Sequence, residues 1–179
     1  LDIPEDRADP IQGRSLITFG WTDSDEQPLV LDFMNPGDRV HSVVVNGTDA
    51  AWEPVNDHVV ISAELLRNGA MNEVDLTYDV GDEAFNRSDE FLYALFVPDR
   101  AHFSLPLFDQ PNLKAPVEWK VSAPEGWKVI ANGPAAEGTR LNGRQTTNFL
   151  ETRPIPTYLF AVAAGRFQEE SEVINGRVF

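Results

Sequence analysis

Short runs of alternating apolar and polar residues, separated by turn-forming residues, constrain this chain more than any other feature. In such a run successive side chains point to opposite sides of an extended backbone, so one side can be buried while the other faces water. Val74-Asp75-Leu76-Thr77-Tyr78-Asp79-Val80 is the clearest example. Asn, Asp, Gly and Pro separate the runs, as turn residues do. The predicted strands are 15–19, 29–33, 40–45, 59–61, 74–80, 91–97, 117–121, 128–131, 146–150 and 157–163.

Helical periodicity is almost missing from the sequence. Only residues 62–68 could form a turn or two of helix, with Ser62 as the N-cap and Gly69 as the residue that ends it. Many short strands at a spacing of roughly 8–12 residues are typical of a β-sandwich or barrel. We therefore predict an all-β fold, a sandwich or open barrel with very little helix. We expect one continuous domain over residues 1–179, with the proline-rich stretch 99–116 as the alternative boundary.

The charge of the chain limits its partners. The formal net charge is −15 and cysteine is absent. Such a negative field repels phosphate backbones and anionic membrane surfaces, so nucleic acid is excluded as a partner. The longest weakly polar stretch, residues 158–165, is far shorter than the roughly 20 residues of a membrane-spanning helix. We expect a processed piece of a longer protein with its targeting segment removed. The compartment stays open, bacterial cytoplasm or periplasm and secreted being the alternatives.

Residues for catalysis or metal binding are scarce. A catalytic zinc site commonly uses three protein ligands. The three histidines, His41, His58 and His102, are far apart, and none has a partner histidine three or four residues away. A Gly-x-Ser-x-Gly elbow is missing, and the paired carboxylates are expected to be solvated. We therefore predict no catalytic residue, no metal ligand and no cofactor in this chain.

Two segments carry more information than their local chemistry explains. Residues 107–115 read Leu-Phe-Asp-Gln-Pro-Asn-Leu-Lys-Ala, and residues 123–134 read Ala-Pro-Glu-Gly-Trp-Lys-Val-Ile-Ala-Asn-Gly-Pro. Asp109 can accept hydrogen bonds from nearby backbone N–H groups while Pro111 fixes the turn. Trp127 is expected to anchor a hairpin closed by Asn132-Gly133. Local forces account for each piece, but not for their occurrence together in this order.

These segments together resemble the N-terminal domain of the aminopeptidase N family of zinc metallopeptidases. The family has a Cys-Phe-Asp-Gln/Glu-Pro-x-x-Lys-Ala turn followed by an Ala-Pro-x-x-Trp-x-Val-x-Ser-Asn-Gly segment. This chain has Leu107 in place of the cysteine and Ala131 in place of the serine. Residues 152–167 are similar to a third family motif, Thr-x-Pro-x-Ser-Thr-Tyr-Leu-x-Ala-x-x-x-Gly-x-Phe. The structural motif residues are Phe108, Asp109, Gln110, Pro111, Tyr158 and Gly165.

The resemblance implies a saddle-like all-β domain that lies against a thermolysin-like catalytic domain. In the family, the catalytic domain carries the zinc ligands and the glutamate base, and it follows the third motif. We therefore expect zinc and a peptide substrate in the full-length parent. The missing catalytic domain of the same polypeptide is the expected partner. This chain alone is expected to be inactive and to cap the cleft, where it helps to position the peptide N-terminus.

One departure from the family concerns the substrate cleft. Family members usually carry Tyr-x-Gln-x-Glu-Pro ahead of the Phe-Asp-Gln-Pro turn, and the glutamate helps to hold the free amino terminus of the peptide. Here the segment reads Tyr93-Ala-Leu95-Phe-Val97-Pro. Tyr93, Leu95 and Val97 are therefore the substrate-cleft candidates. Val97 cannot pair with an ammonium group as a carboxylate does, so either the amine is held elsewhere or the specificity differs.

Residues 69–73, Gly-Ala-Met-Asn-Glu, are one transposition away from Gly-Ala-Met-Glu-Asn, the substrate-binding pentapeptide of the family's catalytic domain. They precede the Phe-Asp-Gln-Pro turn, whereas the pentapeptide follows it. We interpret them as a turn that enters a strand, with Met71 packed inside.

Two other functions remain open. One is a stand-alone β-sandwich that binds carbohydrate or a protein through an exposed row of tryptophans, although we expect the four tryptophans in the core. The other is the scaffold domain of a catalytically dead family member.

Overall fold

The structure, a computed structural model, describes residues 1–22 and 27–178 and is built almost entirely of antiparallel β-strands. In chain order the strands are β1 (Gln12–Trp21), β2 (Leu29–Asp32), β3 (Val40–Val45), β4 (Thr48–Asp49), β5 (Trp52–Val55), β6 (His58–Ile61), β7 (Ala70–Asp79), β8 (Phe85–Arg87), β9 (Phe91–Ala94), β10 (Lys120–Pro124), β11 (Lys128–Ala131), β12 (Thr139–Leu141), β13 (Arg144–Asn148), β14 (Val162–Gly165), β15 (Val173–Ile174) and β16 (Arg177–Val178). The helical elements are α1 (Pro36–Arg39) and four 3₁₀ turns, Ala63–Leu65, Asp82–Ala84, Ala101–Phe103 and Thr157–Leu159. The predicted all-β class is confirmed.

In the described residues the strands form four sheets and one separate hairpin. The strand orders are β1-β7-β3-β4, β2-β6-β5, β10-β13-β12 and β11-β14-β9-β8, and β15 pairs with β16. We call the last four-stranded sheet, β11-β14-β9-β8, the third-motif sheet because β14 lies within the third motif. Buried side chains from all four sheets form one hydrophobic cluster, which includes Leu31, Val45, Leu76, Val121 and Ala164. The prediction of one domain over residues 1–179 stays a prediction.

Asparagine–glycine pairs close the tight hairpins. Asn46 and Gly47 join β3 to β4, and Asn142 and Gly143 join β12 to β13, with every one of these residues at positive φ. Two residues at positive φ give the turn whose twist matches that of the flanking strands. Asn132-Gly133 behaves differently, and the predicted hairpin at this pair is wrong. β11 pairs instead with β14, more than thirty residues along the chain.

Three other predicted strands have different bounds in the structure. The predicted strand 157–163 begins as a 3₁₀ turn, Thr157–Leu159, because Pro156 precedes it and the Thr157 hydroxyl donates to Asp109. The predicted strand 91–97 ends at Ala94, although the Leu95 N–H still donates to the Ala84 carbonyl. The predicted strand 117–121 begins only at Lys120.

The predicted helical turn at residues 62–68 is shorter than expected. Ser62 does cap it, accepting from the Glu64 N–H, but the 3₁₀ turn covers only Ala63–Leu65. Gly69 lies beyond it at positive φ, where the chain turns into β7. In the part of the chain that the structure describes, no helix is long and apolar enough to cross a membrane.

Tyr78 is the largest fully buried side chain of the core. Its hydroxyl bonds to Ser15 Oγ at 2.8 Å, and its ring meets Phe33 edge-on at 5.3 Å between centroids. Gly13 lies opposite on β1, where a Cβ atom would come within 2.4 Å of the Tyr78 ring. Burial raises the pKa of Tyr78, because a phenolate would lose its hydration in the core.

The buried Tyr78 makes the chain sensitive to alkali. In the unfolded chain a tyrosine ionises near pH 10, whereas folded Tyr78 keeps its proton to higher pH. The contribution of protonated Tyr78 to the free energy of unfolding is complete below about pH 10. Above that pH it falls by up to about 1.4 kcal/mol per pH unit. Urea unfolding between about pH 8 and pH 11 should show a steeper loss for the unmodified chain than for Tyr78→Phe. Tyr93→Phe, which changes an exposed ring, is the control. Its stability should fall with pH as steeply as that of the unmodified chain. Equal slopes for the unmodified chain and Tyr78→Phe would contradict this account.

Candidate functional site

The third-motif sheet has one side on the core and one side open. Leu92, Val129 and Ala164 are neighbours across β9, β11 and β14 and face the core. The next residues along the same strands, Tyr93, Ile130 and Ala163, form a parallel row on the opposite side. That row is apolar although it is uncovered, with Ile130 59% exposed.

Leu95 and Val97 follow the end of β9, and Leu95 lines a pocket with Arg7, Glu83 and Arg100. The Leu95 and Val97 side chains are 52% and 55% exposed, and Tyr93 is 39% exposed. We call Tyr93, Leu95, Val97, Ile130 and Ala163 the outer apolar face. The three residues predicted from the sequence as cleft candidates are therefore all exposed. Ile130 and Ala163 were not predicted to belong to this face. Only the pairing of β11 with β14 and of β14 with β9 brings them there.

Close packing fixes the Tyr93 ring on this face. Asn86 Nδ2 donates to the Tyr93 hydroxyl at 2.9 Å, and the ring stacks on Phe91 with centroids 6.2 Å apart. Gly165 lies directly opposite Phe91 in the β9–β14 pair. A Cβ atom at position 165 would come within 2.6 Å of the Phe91 Cβ, so this motif position requires glycine for the strands to approach.

Asp109 connects the Phe-Asp-Gln-Pro turn to the third motif. Its Oδ1 accepts from the Thr157 hydroxyl at 2.5 Å, and its Oδ2 accepts from the His102 backbone N–H at 3.1 Å and from His102 Nδ1 at 2.6 Å. The Asp109 N–H donates to Asp32 Oδ2 at 2.8 Å. Its carboxylate is almost fully buried. The sequence predicted backbone donors for Asp109, but not the bond to Thr157.

Asn132 makes the second connection between the motifs. Its Oδ1 accepts from the Ala161 N–H at 2.7 Å and from Trp119 Nε1 at 3.2 Å, and its Nδ2 donates to the Leu159 carbonyl at 3.0 Å. The sequence predicted only a turn at this position. The two connections explain why the three motifs occur together, because Asp109 and Asn132 hold the first two against residues 157–161 of the third.

The other motif residues lie in packing contacts or in turns of this chain. The Phe108 ring meets Phe19 edge-on at 5.5 Å between centroids. Gln110 and Pro111 are exposed in the turn, where the Gln110 carbonyl accepts from the Leu113 N–H at 2.9 Å. Tyr158 is half-buried in the Thr157–Leu159 turn. None of these contacts tests a role in binding.

Residues 69–73, the look-alike of the catalytic pentapeptide, are structural. β7 begins at Ala70, which confirms the predicted turn into a strand. Met71 is 61% exposed, so the prediction that it packs inside is wrong. Asn72 is the buried residue instead, and its amide accepts from the Arg67 N–H and donates to the Arg67 carbonyl. The signal was available, since Asn72 shares its parity with the buried Val74, Leu76 and Tyr78.

The histidines do not fit a zinc site. Each one lies beside a different aspartate: His41 by Asp79 at 3.0 Å, His58 by Asp32 at 3.2 Å and His102 by Asp109 at 2.6 Å. Within residues 1–22 and 27–178 no group of three His, Cys, Asp or Glu side chains is arranged to hold a metal ion. The donors that a zinc ion requires therefore do not converge in the described part of this chain.

Charge is divided unequally between the two halves of the sequence. Residues 1–90 hold 20 acidic and 5 basic residues, whereas residues 91–179 hold 9 of each. The outer apolar face lies on residues of the second half, but residues of the first half border it: Asn86 bonds to Tyr93, and Leu95 lines a pocket with Arg7, Glu83 and Arg87.

Removal of the Asp109 carboxylate tests the connection between the motifs. Asp109→Asn keeps the size of the side chain, but its NH₂ group is a donor. That group would face either the His102 donors or the Thr157 hydroxyl, and one hydrogen bond would be lost. We expect a loss of about 2–3 kcal/mol in the free energy of unfolding, measured in urea. Asp99→Asn, at an exposed aspartate, is the control and should change the free energy of unfolding by less than about 0.5 kcal/mol.

A double-mutant cycle tests the bond between Asp109 and Thr157. The loss of stability in the double variant Asp109→Asn, Thr157→Val should differ from the sum of the two single losses. Additive losses, or an Asp109→Asn chain as stable as the unmodified one, would contradict the connection.

Comparisons with known proteins agree with this architecture. Residues 77–159 match the Peptidase M1 N-terminal domain family. Aminopeptidase N of Streptomyces lividans is 33% identical over 157 residues, which is 80% of this chain and 17% of that protein. Leucyl aminopeptidase of Saccharolobus solfataricus is 28% identical over 155 residues, 82% of this chain and 19% of that protein. The chain thus spans about a fifth of the length of these relatives.

Solved structures share the fold at lower sequence identity. The M1 zinc metallopeptidase of Deinococcus radiodurans superposes with a TM-score of 0.74 at 23% identity, over 92% of this chain and 39% of that chain. Legionella pneumophila aminopeptidase A superposes with a TM-score of 0.81 at 20% identity, over 91% of this chain and 20% of that chain. At these identities the likeness shows the fold alone. The sequence matches together with this fold identify the chain as carrying the all-β N-terminal domain of the M1 aminopeptidase family.

Proposed function

We propose that this chain is the non-catalytic N-terminal domain of a zinc metallo-aminopeptidase and that its outer apolar face lies against the catalytic domain beside the substrate cleft. The exposed row of Tyr93, Leu95, Val97 and Ile130 carries the proposal. A group of exposed apolar side chains on a folded domain indicates an interaction site. The sequence relatives are named as aminopeptidases and extend well beyond the part matched by this chain.

The catalytic domain of the same polypeptide is the proposed partner. It would hold the zinc ion, since the histidines and carboxylates described here do not converge on a metal site. A zinc ion in such a domain lowers the pKa of a bound water, which can then attack the peptide carbonyl. The role of this chain is to close one side of the cleft and to exclude water from it.

The three cleft candidates give the cleft an apolar wall. Leu95 and Val97 stand where the resemblance puts a glutamine and a glutamate, and neither side chain can accept a hydrogen bond from a peptide amine. The Tyr93 hydroxyl, bonded to Asn86, is the polar group of this face. We propose that the wall contacts an apolar group near the peptide N-terminus and that the ammonium is held by the catalytic domain.

The tryptophans favour this proposal over a carbohydrate-binding module. Trp119 and Trp127 are buried, and Trp21 and Trp52 are half-buried against the core. The four tryptophans therefore do not form the exposed row that a sugar-binding sandwich would present. A scaffold domain from a catalytically dead relative would use the same face, and the residues of its catalytic domain would distinguish it.

A charge placed on the outer apolar face should prevent docking. We expect Leu95→Lys and Ile130→Lys each to weaken binding to the separately produced catalytic domain by at least about tenfold, because a buried lysine would lose its hydration. Isothermal titration calorimetry measures the change. Leu141→Lys is the matched control, since Leu141 is 73% exposed on β12 of another sheet. Equal binding by all three variants would reject the face as the interface.

A further inference from the structure

A pocket rich in arginine lies beside Leu95, at the border of the outer apolar face. Its volume is about 360 Å³, which falls in the range of sites that bind small ligands. The charged residues of its lining are Arg7, Arg87, Arg100 and Glu83. An excess of arginine over acidic residues is unexpected in a chain whose net charge is −15. We call this site the arginine pocket.

Contacts with the backbone and with a ring hold two of the arginines in the wall of the arginine pocket. Arg100 donates from Nη2 to the Glu83 carbonyl, and its guanidinium carbon lies 5.6 Å from the centre of the Phe103 ring. Arg87 donates from Nη2 to the Asp9 carbonyl at 3.2 Å, and only 7% of its side chain is exposed. The guanidinium groups are therefore placed by the fold and do not extend freely into water.

Two of the four lining charges are neutralised by ion pairs. Glu83 Oε1 lies 2.6 Å from Arg39 Nη2, so the carboxylate in the lining already has a cation beside it. Arg87 Nη1 lies 3.0 Å from Asp82 Oδ2 and 3.1 Å from Asp82 Oδ1. Neither Glu83 nor Arg87 therefore contributes a free charge to the arginine pocket.

The other two charges, those of Arg7 and Arg100, are not neutralised. Among the described residues neither side chain forms an ion pair, and Arg100 uses one of its donors on a neutral carbonyl. A guanidinium has five N–H donors in a planar fork, and this fork matches the two oxygens of a carboxylate. The arginine pocket thus has positive charge and hydrogen-bond donors to offer to an anion.

Apolar side chains complete the lining of the arginine pocket. They are those of Ala84, Phe85 and Leu95. The Phe85 ring meets the buried Phe96 ring edge-on at 5.7 Å between centroids, and the Leu95 N–H donates to the Ala84 carbonyl at 2.7 Å. An aliphatic stem can pack on these side chains while its charged end meets the guanidinium groups.

Acidic residues next to the arginine pocket limit how an anion can enter it. Arg7 also lines a neighbouring recess, whose other residues are Glu5, Asp6, Asp9 and Asp89. An anion would be repelled from that recess. Leu95, which the pocket shares with the outer apolar face, carries no charge. We therefore expect an anionic ligand to lie with its stem along Leu95.

We propose that the arginine pocket binds a carboxylate on a short aliphatic stem, such as the side chain of a glutamate residue. Arg7 and Arg100 donate to the carboxylate oxygens, and the stem packs on Phe85 and Leu95. The planar guanidinium groups favour this geometry over a point charge. Every residue of the site belongs to this chain. Ligand binding can therefore be measured whether or not the outer apolar face docks on a catalytic domain.

Two ligands of the same shape test the site on the 179-residue chain by NMR titration. N-acetyl-glutamate amide carries the proposed carboxylate, and N-acetyl-glutamine amide replaces it with a neutral group. The glutamate ligand should shift the Arg7 and Arg100 Nε–H signals and the Leu95 methyl signals, and it should bind at least about tenfold more tightly than the glutamine ligand. Equal affinity of the two ligands, or unchanged signals at these three residues, would overturn the proposal. So would inorganic phosphate binding as tightly as the glutamate ligand, because phosphate lacks the stem.

Arginine variants separate this site from a general effect of charge. Arg7→Gln and Arg100→Gln should each weaken binding of the glutamate ligand by about tenfold. Arg140→Gln is the matched control, since Arg140 is exposed on β12 of another sheet. It removes the same charge, and at physiological ionic strength it should change the affinity by less than about twofold.

The Arg7 variant keeps this test decisive if Arg100→Gln does not fold. Arg100 bonds to the Glu83 carbonyl, so circular dichroism checks the fold of its variant, whereas the Arg7 side chain is exposed and its replacement leaves the fold intact. An unchanged affinity in folded Arg7→Gln would overturn the proposal. An equal loss of affinity in Arg7→Gln and Arg140→Gln would also overturn it, because binding would then follow net charge alone.

Discussion

The carboxylate of Asp109 is buried to 4% exposure and is the contact on which the arrangement of the motifs depends. A buried charge without hydrogen-bond donors would cost several kcal/mol. Here the donors come from His102, which is near in sequence, and from Thr157, which is 48 residues away. Since the charge is stabilised only when both segments are in place, the Phe-Asp-Gln-Pro turn and the Thr157–Leu159 turn fix each other. Asn132 adds a neutral connection of the same kind to Leu159 and Ala161.

This arrangement determines where the third-motif sheet lies. The Thr157–Leu159 turn leads directly into β14, which is the central link between β11 and β9. Gly165 lets β9 approach β14, so that Phe91 and Tyr93 stack on the outer side. A polar connection at one end and a close strand approach at the other thus hold an apolar surface in a defined position. A surface that must match another domain needs such rigid support.

Local chemistry predicted much of the fold. Alternation predicted β1, β2, β3, β6 and β7 but not the short β4 and β5, and positive-φ Asn-Gly pairs closed two of the hairpins. The failures arose where a distant partner outweighed local preference. Asn132-Gly133 is a good hairpin turn by sequence, yet β11 pairs with β14. Residues 157–159 alternate like a strand, yet Thr157 bonds to Asp109. Tyr93, Leu95 and Val97 could be selected through the resemblance. Ile130 could not, because its place beside them depends on the pairing order of three strands.

The central claim is that the outer apolar face is covered in the complete protein. Hydroxyl-radical footprinting reads this directly, because side chains oxidise in proportion to their exposure to solvent. The account predicts that Tyr93, Leu95 and Ile130 oxidise readily in this chain alone and are protected when it is joined to its catalytic domain. Leu141, on a remote strand, should oxidise equally in both. Equal oxidation of Tyr93, Leu95 and Ile130 in the two forms would contradict the account.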